Sequence, residues 1–228
     1  MHPVSCRGPG PRGLPAHPRQ RSLGTHPRQR GFTALEALVV VAILGIMLAV
    51  GVPNMRAWLG ATTATGAAQF YAEGLRLARG QALANNSRSR LVLTENAGSG
   101  QFDWQVDVCF PTPDDGCAPG SGRWSSVDEP ASGPEPGQVE TRSVFRSAAA
   151  LPRASALSVT PDSDARSVYF TALGWVDGAQ PAFMRLDFAP GDADATDSFA
   201  PSAVVLTLAG AVVTCRTDVG PADSRRCP

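Results

Sequence analysis

The sequence predicts an α+β protein in which one long N-terminal helix precedes, and over its second half packs on, antiparallel β-sheet. Three observations carry that expectation. Residues 32–52 form an apolar run whose only charge is Glu36. A stripe at helical spacing follows: Ala67, Phe70, Gly74, Leu77, Ala78 and Gln81. From Leu91 onward the grain changes to short β-rich runs separated by Gly- and Pro-rich turns.

With 228 residues, 43% hydrophobic and 18% charged, the chain has an ordinary globular composition, enough for one domain and one small further element. Its formal net charge of zero conceals an asymmetry. Residues 1–31 hold six arginines and no acid; the other 14 arginines face all 20 carboxylates, a net of −6. All three histidines (His2, His17, His26) lie in that first stretch, and there is no lysine. A segment so rich in Pro, Gly and Arg, with "HPRQR" at 17–21 and again at 26–30, cannot build a core. Ending where an apolar run begins, it reads as a targeting leader.

The run at 32–52 is long enough, at 1.5 Å per residue, for a helix of ~30 Å, the thickness of a bilayer's hydrocarbon core. A signal-peptide core is usually about 7–15 residues long and is followed by a small-residue cleavage site. This run ends instead in Gly51-Val52-Pro53. A single-pass anchor fits better, and arginines before it with net acid after it orient residues 1–31 to the cytoplasm. Beyond Pro53, expected to kink the helix because proline removes a backbone donor, the stripe at 67–81 continues it to "ANNSR" at 84–88. The β runs are "RLVLT" (90–94), "FDWQVDVCF" (102–110), "SVFR" (143–146), "ALSVT" (156–160), "SVYFT" (167–171), "AFMRLDF" (182–188), "AVVLTL" (203–208) and "AVVTC" (211–215). In the second, Phe102, Trp104, Val106 and Val108 alternate onto one face.

The stretch "RGFTALEALVVVAILGIMLAVGVP" resembles the N-terminus of type IV prepilins and type II secretion pseudopilins. The resemblance implies a pilin-like fold and four site assignments. Gly31 precedes the prepilin peptidase cut, and Phe32 becomes the N-methylated first residue. Glu36 is the fifth mature residue and Pro53 the twenty-second. The leader is longer than the usual handful of residues. The implied organisation is a basic leader at 1–31, a transmembrane helix at 32–52, its amphipathic continuation at 53–86 and a β-rich periplasmic domain at 87–228. Within the outer part, "LRLARGQALANNSRSRLVL" (75–93), "VYFTALGWVDG" (168–178) and "VVLTLAGAVVTCR" (204–216) resemble GspH/FimT-like minor pilins and pseudopilins.

Glu36 then has a purpose. A carboxylate at membrane depth is disfavoured by roughly 2.5–3.5 kcal/mol on insertion scales. Cutting after Gly31 creates an ammonium at Phe32, and in this family the carboxylate can pair with the terminal amine of a neighbouring subunit. A Glu snorkelling to the interface is the plainer alternative for the residue taken alone; the whole motif favours subunit pairing.

If the leader is cut, Cys6 is lost and Cys109, Cys117, Cys215 and Cys227 remain, an even number in an exported domain. Three pairings are possible. Cys109–Cys117 with Cys215–Cys227 is favoured because each pair brackets one turn-rich loop. No C-x-x-C and no histidine survive for zinc, so no metal and no cofactor are expected. Losing His and Lys also removes the common general bases and activated nucleophiles, so an enzyme is not expected. "DADATD" (192–197) begins like a calcium loop but lacks the glycine at its sixth position and the closing glutamate. Asn85-Asn86-Ser87 matches a glycosylation sequon, a pattern frequent by chance.

The expected role is a minor pseudopilin of a type II secretion system, near the tip of a periplasmic pseudopilus and anchored in the bacterial inner membrane. Its partners would be prepilin peptidase, other major and minor pseudopilins and membrane lipid. The alternative is a type IV pilus minor pilin acting in pilus assembly or DNA uptake. Family members with the DNA role carry Gly-Arg-x-Arg near the C-terminus; here Gly210-Ala211-Val212-Val213 stands in that place. Arg216, Arg225 and Arg226 could be gathered by a Cys215–Cys227 bridge into a small basic patch, but the net acidic chain makes DNA an unexpected partner.

Overall fold

The computed structural model describes residues 32–133, 140–191 and 199–228. The leader with Gly31 and Cys6, residues 134–139, and the "DADATD" stretch lie outside the described residues. The chain divides into two compact units, Met1–Gly45 and Ile46–Pro228.

Helix α1 (Ala34–Ala84) begins in the first unit and ends in the second, and Pro53 lies inside it with helix on both sides. It stops because Asn86 adopts a left-handed conformation (φ 45°), which asparagine tolerates better than most residues. That turn lets Ser87 N donate to Ala82 O at 3.0 Å and Asn86 N to Leu83 O at 3.2 Å. Two carbonyls of the last helical turn are thereby satisfied, in a Schellman arrangement.

Eight strands follow, all paired antiparallel: β1 (Arg88–Glu95), β2 (Phe102–Cys109), β3 (Val144–Arg146), β4 (Leu157–Pro161), β5 (Ser167–Phe170), β6 (Arg185–Pro190), β7 (Ser202–Leu206) and β8 (Val212–Arg216). One sheet has the order β3-β2-β1-β5, the other β4-β6-β7-β8. Each run expected from the sequence has its strand, with β6 displaced toward the C-terminus of its run.

The core of the second unit is where α1 meets both sheets. Ala64, Ala67, Ala68, Tyr71, Leu75, Ala78 and Ala82 share one buried cluster with Leu91, Trp104 and Val106 of the first sheet and Leu186, Phe188 and Val204 of the second. This corrects the helical stripe. Phe70, Leu77 and Gln81 are only partly buried, and the centre of the face runs through Tyr71, Leu75 and Ala82. Small residues let the helix come close: a Cβ on Gly74 would stand 2.8 Å from Leu91 Cδ1 and 2.9 Å from Trp104 Cδ2. Polar bonds fix the approach. Trp104 Nε1 donates to Phe70 O at 3.0 Å, Phe102 N to the Tyr71 hydroxyl at 3.1 Å, and Ser89 Oγ to Ala78 O at 2.6 Å.

The opposite face of the first sheet is covered too, which simple alternation does not foresee. Asp107, on the face opposite Trp104 and Val106, is 1% exposed. Between β2 and β3 the chain makes an excursion held by its own contacts. Cys109 and Cys117 are bonded and cluster with Trp124 and Tyr169. Beneath it, Arg90 Nε meets Asp107 Oδ2 at 2.8 Å, and Ser143 Oγ and Gln105 Nε2 each donate to Asp107 Oδ1 at 2.6 Å. The Arg90 guanidinium lies 4.4 Å from the Trp124 ring centroid and donates to Pro119 O at 2.9 Å. A buried carboxylate is tolerated when it is paired and hydrogen-bonded, as here.

Candidate functional site

The N-terminal segment follows directly from its residues. Thr33-Ala34-Leu35-Glu36 has the T-x-x-E spacing of a capping box. Glu36 N donates to Thr33 Oγ1 at 3.2 Å and Ala37 N to Thr33 O at 3.1 Å, so Thr33 starts the helix and Glu36 falls in its first turn. There the positive end of the helix dipole favours a carboxylate. Thr33 is the residue that the sequence reading passed over; the capping spacing was its signal.

Past this turn, residues 37–52 are apolar on every side, and each is exposed. A helix apolar all round is stable in water only when something covers it, either lipid or other helices. The span Ala34–Val52 is long and apolar enough to cross a membrane. Phe32, just outside the helix, is 75% exposed. Gly31 lies beyond the described residues.

Four cysteines form two bridges among the described residues, Cys109–Cys117 with an S–S distance of 2.05 Å and Cys215–Cys227 with 2.14 Å. The second ties the C-terminal tail beside β8: Arg216 N donates to Arg225 O at 2.7 Å and Cys227 N to Arg216 O at 3.1 Å. The bridge does bring the arginines together, but two of the three are already matched by acids. Arg216 holds Asp218 through two bonds of 2.9 and 2.7 Å, and Arg225 holds Asp223 through 3.1 and 2.8 Å. The Arg225 hydrogen bonds bring the Asp223 carboxyl down to about 2, and the bond from Arg216 lowers that of Asp218. An open cavity of about 470 Å³ beside them is lined by Arg185, Arg216 and Arg226 among others, and Arg185 is itself matched by Asp187 at 2.7 Å. The region is therefore far closer to charge balance than three arginines in sequence suggest.

Among the described residues, no group of three or more His, Cys, Asp or Glu side chains is placed to hold a metal ion. Within the segment from Phe32 to Val52 the one ionisable side chain is Glu36, carried on an otherwise apolar helix.

Residues 26–52 match the family model of the prokaryotic N-terminal methylation motif, a stretch that contains Gly31, Phe32 and Glu36. No curated protein and no solved structure matches the chain. The chain thus carries the methylation motif of type IV pilin-like proteins, followed by an α+β, pilin-like fold.

Proposed function

We propose that the protein is a minor pseudopilin of a type II secretion system, a non-enzymatic structural subunit near the tip of a short periplasmic pseudopilus. The observation that carries this reading is the methylation motif at 26–52, with Gly31, Phe32 and Glu36 in register ahead of an exposed apolar helix. Prepilin peptidase cuts between Gly31 and Phe32, where glycine leaves the backbone open to close approach. The freed Phe32 amine is methylated. The helix anchors the chain in the inner membrane as a single span, and the folded domain stands in the periplasm. Six leader arginines before the span, net acid after it and two disulfides beyond it all favour that orientation.

Assembly exchanges lipid for neighbouring helices around residues 32–52. Glu36 then meets the terminal ammonium of an adjacent subunit, and this pair sets the register between helices. Other major and minor pseudopilins are the partners. DNA is not assigned as one, since Arg216 and Arg225 are already engaged by carboxylates. A role as a type IV pilus minor pilin uses the same N-terminal chemistry, but no observation here favours it.

The test is Glu36→Ala. Insertion should be unimpaired, because the substitution removes a charge from the apolar run. Assembly should fail, because loss of one partner of a buried pair costs about 3–5 kcal/mol. Subunit crosslinking at wild-type levels in Glu36→Ala membranes would refute the pairing role.

A further inference from the structure

Beyond Val52, the outward face of α1 changes character within two turns. Met55, Trp58 and Leu59 stand on it, 62%, 65% and 49% exposed. At spacings of three and four residues the same face continues through Thr62, Gly66, Gln69, Glu73 and Arg76, all exposed. It lies opposite the face through Ala64, Ala67, Ala68 and Tyr71 that enters the core. The outward face is therefore open along its whole length, yet carries large apolar side chains only as far as Leu59.

The level at which they stop matches a boundary of the membrane. Val52, where the apolar span ends, and all of these residues belong to the second unit. Met55, Trp58 and Leu59 follow Val52 by roughly 4.5, 9 and 10.5 Å of helix, at 1.5 Å per residue. Helical side chains lean back toward the N-terminus and cover the turn before their own, which brings the Trp58 indole up to one turn, roughly 5 Å, closer to the span. The headgroup layer between hydrocarbon and water is about 5–8 Å deep on each side of a bilayer. These three side chains fall in that layer, and Thr62 lies beyond it. The fold leaves the level uncovered, since Ala64 is the first buried residue of α1 among the described side chains.

The chemistry agrees with the depth. An indole has a broad apolar ring and one N–H donor, and tryptophan is enriched where one end of a side chain is apolar and the other wet. A neighbouring protein helix fits less well. Packed along this face, it would need an apolar seam at the recurring positions past Leu59, where Thr62, Gln69, Glu73 and Arg76 stand instead.

We infer that Met55, Trp58 and Leu59 form a contact with the lipid headgroups of the membrane that α1 enters, with Trp58 as its anchor. The inference rests on the reading of residues 34–52 as a membrane span. Drawn outward by a turn, the ring would be left in water; drawn inward, its N–H would lose its wet partners.

The experiment uses the full chain reconstituted in phosphatidylcholine vesicles, beside Trp58→Phe. The difference in fluorescence isolates Trp58 from Trp104, Trp124 and Trp175. Trp58 lies outside the core, so the variant should fold as wild type. A nitroxide on the lipid headgroup should quench the difference signal about twofold or more above a nitroxide near the end of the acyl chain. That ratio should hold when added lipid dilutes the protein within the bilayer. Stronger quenching from the chain end, or none from either label, in protein that floats with the vesicles would overturn the headgroup contact and leave the span intact. A Trp58 shielded from both labels until dilution exposes it would overturn the contact in favour of a second copy. Protein that fails to float with the vesicles would overturn the span, and this contact with it.

Discussion

Two glycines of one helix should respond to alanine with opposite sign. In a helix interior, alanine is favoured over glycine by about 0.8–1.0 kcal/mol, chiefly through backbone entropy. At Gly80 the new methyl meets nothing within 4 Å, so Gly80→Ala should keep that gain. At Gly74 the methyl would stand 2.8 Å from Leu91 Cδ1 and 2.9 and 3.1 Å from two atoms of the Trp104 ring. Neither neighbour has room to move: both are 1% exposed, and the Trp104 nitrogen is bonded to Phe70 O of the same helix. Overpacking of this kind costs about 1–3 kcal/mol, enough to exceed the propensity gain at the upper end of that range. Gly74→Ala should therefore lose up to about 2 kcal/mol and Gly80→Ala gain up to about 1. Urea titration of the detergent-solubilised protein, followed by tryptophan fluorescence, reads both midpoints. A Gly74→Ala protein stabilised as much as Gly80→Ala would show that α1 does not sit this close to the first sheet.

Asp107→Ala should destabilise the fold by about 3 kcal/mol, since it strands the Arg90 guanidinium beneath the excursion; a loss under about 1 kcal/mol in the same titration would mean that the network is expendable. Burial pushes the Tyr71 hydroxyl from 10.0 up to about 12, so the folded chain keeps a proton that the unfolded chain releases from pH 10 upward. Its contribution is complete below that pH and lost as pH rises toward 12, so the urea midpoint should drop between about pH 10 and about pH 12. The chain has no lysine to add a competing titration, and an unchanged midpoint would contradict the buried phenol.

Much of this was legible because the residues repeat a simple period. The apolar run, the eight β-rich stretches and the Asn85-Asn86 stop each carry their own local signal, and each has its counterpart in α1 or the sheets. The helical stripe was read off centre because alanines dominate the buried face. Ala64, Ala68, Ala72 and Ala82 are almost wholly buried, yet carry little hydrophobic contrast for periodicity to detect. The burial of Asp107 has no signal in its own strand. Strand alternation identifies two faces but cannot say that a distant loop covers the second, and the excursion is pinned through contacts of Ser125 with Val108, Ser143 with Asp107 and Trp124 with Arg90. The C-terminal arginines were read as a weak basic patch without their partners, Asp218 and Asp223, which lie only two residues away. For the N-terminal segment, the resemblance to prepilins singled out Phe32 and Glu36, while Thr33 became visible through the hydrogen bond it accepts from Glu36 N.

The most direct test is the intact mass of protein purified from membranes of cells with an active prepilin peptidase. A pilin-type subunit should begin at Phe32, lack residues 1–31 and carry one methyl group on its new terminal nitrogen. Mass and N-terminal fragmentation together fix both features. A mature chain that keeps its six leader arginines, or is cut anywhere other than between Gly31 and Phe32, would contradict the assignment at its root.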